Sequence, residues 1–65
     1  MNTDTEWVII ARSDLTGAER IAAEYRHKHR PIADSECRRM QIAANACGAE
    51  VTYRVVHWRE VGRVR

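Results

Sequence analysis

Five side chains in this sequence are able to ligate a metal: His27, His29, Cys37, Cys47 and His57. Structural zinc sites draw on close pairs such as Cys-x₂₋₄-Cys or His-x₃₋₅-His, since neighbouring donors must close one tetrahedral shell. The two cysteines instead fall ten residues apart. His27 and His29 would point about 200° apart on a helix. The spacing predicts no metal and no cofactor, with Cys37 and Cys47 acting as small apolar residues. On one helix their Cα atoms stand about 15 Å apart, too far for a disulfide, so both thiols should be reduced.

Nucleophilic catalysis needs a nucleophile beside a base that a third group orients. Ser13 and Ser35 have no such company, and neither a Gly-x-Ser-x-Gly elbow nor a Gly-rich phosphate loop is present. A domain this small also leaves little room for a water-excluding pocket. The chain reads as a non-enzyme with no small-molecule substrate.

Charge carries more information. Before residue 25, Arg12 and Arg20 stand against Asp4, Glu6, Asp14, Glu19 and Glu24. From residue 25 onward nine cations face only Asp34, Glu36, Glu50 and Glu60, so the basic charge is gathered in the later part. Ten of the eleven cations are Arg, the side chain that grips phosphate or carboxylate with two parallel bonds. Arg26, His27, Lys28, Arg30, Arg54 and Arg63 form the candidate nucleic-acid surface, as clustered Arg is what phosphate contact needs. Tyr53 and Trp58 fall on opposite strand faces, so the paired stacking platform of RNA-recognition sheets is missing.

Protein contact is the leading expectation. Trp and Arg are the residues most enriched at binding hot spots. Ile42 would break the inward stripe of its helix and lie outward between Arg38 and Arg39. An outward aromatic, Trp58 or Trp7, offers a second anchor, with Arg59 beside Trp58. Ile42, Trp58, Arg38, Arg39 and Arg59 are thus the candidate partner-binding residues. A small chain without catalytic apparatus suits a regulator or inhibitor that occludes a larger protein, of the kind phages and other mobile elements encode.

The elements that must position these residues follow from periodicity. Glu6–Arg12 is short and rich in β-branched residues, with Trp7, Ile9 and Ala11 on one face and Val8 and Ile10 on the other. Leu15, Ala18, Ile21, Ala22 and Tyr25 fall in one stripe at 100° per residue, His29 continues it, and Ser13, Asp14, Thr16 and Glu19 offer caps. This predicts a helix over 14–29, ended by Pro31. Asp34 then caps a second helix whose inward stripe is Cys37, Met40, Ala43, Ala44 and Cys47, with Gly48 as terminator. Residues 50–61 read as a strand, Val51, Tyr53, Val55 and His57 on one face.

The expected architecture is a single α+β domain over 1–65, a βααβ unit with two antiparallel strands under a helical hairpin. Segments 1–5 and 62–65 are expected to be mobile. The second strand, about 40 Å long against about 24 Å for the first, would leave an unpaired edge. That mismatch, with a core too small to supply much stability alone, predicts a homodimer formed through the second strand. An acidic start and no long apolar run predict a cytoplasmic protein away from membranes.

Overall fold

A computed structural model describes residues 5–26 and 29–61. Three strands, one α-helix and a 3₁₀ turn follow in the order β1 (Thr5–Ser13), β2 (Glu19–Arg26), α1 (Arg30–Cys47), β3 (Val51–His57) and η1 (Trp58–Glu60). The strands form one antiparallel sheet in the order β2-β1-β3. The α+β class holds. The βααβ order gives way to ββαβ, because the segment expected as the first helix is a turn and a strand.

The reason lies in residues that serve two structures equally well. Ser13 and Thr16 cap helices, but their hydroxyls also close turns. Here the Thr16 N–H donates to Ser13 Oγ at 3.3 Å and the Ala18 N–H to Thr16 Oγ1 at 3.2 Å. The Gly17 N–H reaches the Ser13 carbonyl at 2.8 Å, and the Ser13 N–H reaches Ala18 at 2.9 Å. Gly17 adopts φ 78°, a left-handed conformation that glycine takes without a Cβ penalty. A hairpin results. The 100° stripe is lost because Ala22 is an extra residue in β2: Ile9 pairs with Ala23 while Ile10 pairs with Ile21. Such a bulge interrupts period-two alternation, so β2 lacks the pattern that marks a strand in sequence.

Two expectations about α1 also change. It begins at Arg30 rather than after Asp34, with Pro31 in its first turn, where the missing N–H costs nothing. Asp34 therefore lies inside the helix, 3.8 Å from Arg30, and His29 is an exposed flanking residue rather than a buried one. Ala33 and Ala44 are the buried helix residues; Cys37 and Met40 are half-buried, whereas Ala43 and Cys47 are exposed. Both cysteines are free thiols. The end of α1 is as expected: Gly48 sits at φ 74°, and the Ala49 N–H bonds the Ala44 carbonyl at 2.9 Å.

β3 stops at His57 and pairs with β1 along its whole length, Trp7 with His57 through Ser13 with Val51. The unpaired overhang that pointed to exchange through the second strand is therefore absent. Thr5, expected to be mobile, is buried in β1, and its hydroxyl donates to Glu24 Oε1 at 3.2 Å. Residues 1–4 and 62–65 lie outside the described residues. No described helix is long and apolar enough to cross a membrane.

The core is β1. Val8 and Ile9 are fully buried, and Ile10 and Ala11 nearly so. α1 packs chiefly on β3 and β1, over the face carrying Trp7, Ile9 and Ala11. On the other face Arg54 of β3 bonds Glu19 of β2, so the ion pair bridges across Ile10 on the central strand. The stems of that pair replace a second helix as its cover.

Candidate functional site

Topology brings four chain segments to one end of the sheet: the start of β1, the end of β2, the start of α1 and the end of β3. Trp7 and His57 are register partners, which puts both side chains on the helix-covered face. Their rings meet edge to face at 5.1 Å and 85°. Trp58 follows at 6.0 Å from His57, tilted by 33°. Each indole carries a guanidinium: Arg30 lies 4.8 Å from the Trp7 ring centre and Arg59 lies 5.8 Å from that of Trp58. The row thus runs Arg30, Trp7, His57, Trp58, Arg59, with cation–π attraction at both ends.

His57 holds the row in place. Its Nδ1 accepts the Arg59 N–H at 3.2 Å, which makes it the N-cap of η1. With Nδ1 acting as acceptor, the neutral ring carries its proton on Nε2, which faces Glu6 Oε1 at 3.4 Å. His57 and Glu6 are about three-quarters buried, whereas Trp58 is 41% exposed. The arrangement is a fixed aromatic surface with one accessible indole. It can bury apolar area, and its guanidinium groups can donate to a carboxylate or phosphate.

The expected partner-binding residues do not form one surface. Trp58 and Arg59 belong to this row. Ile42 is 62% exposed on the outer side of α1 with Arg38 and Arg39, where Arg39 pairs with Glu36 at 3.6 Å. Gln41, beside Ile42, lies against Val51 and Tyr53; Trp58 is five residues further along, roughly 17 Å away. The expected nucleic-acid residues divide as well. Arg26 closes β2 opposite Thr5 and Arg30 caps the aromatic row, both at this end. Arg54 is engaged with Glu19 on the opposite sheet face. His27, Lys28 and Arg63 lie outside the described residues.

Glu6 and His57 are members that sequence reasoning missed, whereas Trp7 was named as an alternative anchor to Trp58. Trp7 and His57 were each placed on the correct strand face. Only the register of β1 against β3, which single-strand periodicity leaves open, sets them side by side. Among the described residues no three His, Cys, Asp or Glu side chains come together in a way that could hold a metal ion. No family model, no curated protein and no solved structure matches this chain.

Proposed function

We propose that this chain is a non-catalytic binding protein that acts by contact with another protein, as a small regulator or inhibitor. The observation that supports this is the row Arg30–Trp7–His57–Trp58–Arg59, fixed by four segments and offering Trp58 to solvent. A hot spot of this kind contributes through a rigid aromatic that loses little entropy on burial, with Arg groups to meet carboxylates at its rim. The test is capture of binding proteins by the immobilised chain and by its Trp58→Ala variant, each checked for folding by circular dichroism. A specific partner should bind the parent at least about thirtyfold more tightly, corresponding to about 2 kcal/mol at a hot spot. Equal capture by both chains rejects the site, and no specific capture rejects the function.

A nucleic-acid reading has one observation of its own. Arg26 and Arg30 reach the same end as the two indoles, so phosphate contact and base stacking would coincide there. Nuclease treatment separates the readings, because a protein contact survives it. Strong loss of binding between low and moderate salt would favour the nucleic acid.

A further inference from the structure

The two edges of the sheet differ. On β3, Gln41 donates to the Val51 carbonyl at 3.0 Å and accepts the Tyr53 N–H at 2.8 Å, closing part of that edge with a side chain. On β2, the Arg26 carbonyl accepts the His29 N–H at 3.2 Å; otherwise, among the described residues, nothing bonds its outer side. An open edge of eight residues is a template for another strand. We propose that its occupant is a second copy of this chain, β2 against β2, antiparallel about a twofold axis between Ala22 and Ala23. This proposal is independent of the binding role above, and it differs from the dimer through the last strand that the sequence suggested.

Self-complementarity of β2 carries the assignment. A twofold axis perpendicular to a sheet keeps each side chain on its own face. In a regular strand, an axis between adjacent residues would therefore oppose side chains of different faces. The bulge at Ala22 removes this conflict. Counted from β1, Glu19, Ile21 and Glu24 share the face of Arg12, Ile10 and Val8, while Arg20, Ala23 and Tyr25 share that of Ala11, Ile9 and Trp7. Across the axis, Glu19 then meets Arg26 of the second copy on one face, and Arg20 meets Tyr25 on the other. Ile21, 40% exposed in the single chain, meets the stem of Glu24. Each contact occurs twice, opposite charges fall together, and no like charges face each other. Two alanines at the axis allow close backbone approach. The position of α1, chiefly on β3 and β1, leaves room along β2 for the six-stranded sheet.

The experiment is analytical ultracentrifugation of the full chain over about a thousandfold range of concentration, joined to cysteine cross-linking. In a Cys37→Ser, Cys47→Ser background, chains carrying Ala22→Cys and Ala23→Cys are mixed, since directly opposed strand positions lie within disulfide reach. The parent should dimerise, and the mixed pair should cross-link more readily than two Thr52→Cys chains. Arg26→Glu should weaken dimerisation about tenfold or more, because it sets carboxylates opposite each other in both copies. A monomer at every concentration overturns the proposal. So does a dimer that is indifferent to Arg26→Glu, or one that cross-links through Thr52→Cys instead.

Discussion

Gln41 accepts the backbone N–H of Tyr53 at 2.8 Å, so a helix side chain stands where a fourth strand would bond. The same amide donates to the Val51 carbonyl at 3.0 Å and to Asn45 Oδ1 at 3.1 Å. One residue thereby fastens α1 to β3 and closes part of the sheet edge. Gln41→Leu keeps the volume but leaves both backbone groups to water, which should cost about 1–2 kcal/mol in urea denaturation. The Tyr53 amide should exchange markedly faster. Gln41→Glu, which restores the acceptor alone, should recover part of that loss. Unchanged Tyr53 exchange in Gln41→Leu would show that the clamp is not maintained in solution.

Gly17 decides whether residues 13–18 form a hairpin. A Cβ at this position would meet no atom within 4 Å, so a substitution there meets only the backbone penalty at φ 78°. Gly17→Ala should cost about 1 kcal/mol, and Gly17→Asn less, since Asn tolerates the left-handed region. Thermal unfolding of the two variants measures the order. An Ala variant as stable as the parent would mean that this turn does not require the left-handed conformation.

The same turn shows how far the sequence could be read. β1 was plain from its run of β-branched residues, the end of α1 from Gly48, and the start of β3 from alternation beginning at Val51. Segment 14–29 was not, because Ser13, Thr16 and Glu19 suit a helix start as well as a hairpin. The bulge at Ala22 also breaks the period-two alternation that would have marked β2 as a strand. Tertiary pairing with β1 settled what local pattern left balanced. At the site, Trp7, Trp58, Arg59 and Arg30 could be named singly. Their convergence around His57 depends on register and on strand order, which are long-range properties.

Cys37 and Tyr25 link stability to alkaline pH. Burial is the larger cause that raises the Cys37 thiol, and the neighbouring Asp34 raises it further. Tyr25 is raised first by burial, then by Glu36 and Cys37. In both cases the folded state favours the neutral, protonated form. The stability they contribute is therefore intact below the unfolded values and is lost as pH rises through the folded ones. In a Cys47→Ser chain, alkylation of Cys37 should titrate above about pH 8.5, the value of a free thiol, and return to it in urea. Tyrosinate absorbance of Tyr25 should rise at lower pH in Cys37→Ser, once the thiolate is gone. Titration of Cys37 at or below the free-thiol value would contradict the burial that the packing implies.

His57 couples the end of β3 to the exposed Trp58. Its Nδ1 accepts the Arg59 N–H, which makes it the N-cap of η1, and its Nε2 faces Glu6. Asn is a good N-cap, whereas Ala offers no acceptor, so His57→Asn should hold η1 and His57→Ala should release it at a cost of about 1 kcal/mol. Trp58 emission, read in a Trp7→Phe chain, should therefore change in His57→Ala and stay close to the parent in His57→Asn. An equal change in both variants would show that the ring packing, and not the N-cap bond, holds Trp58 in place.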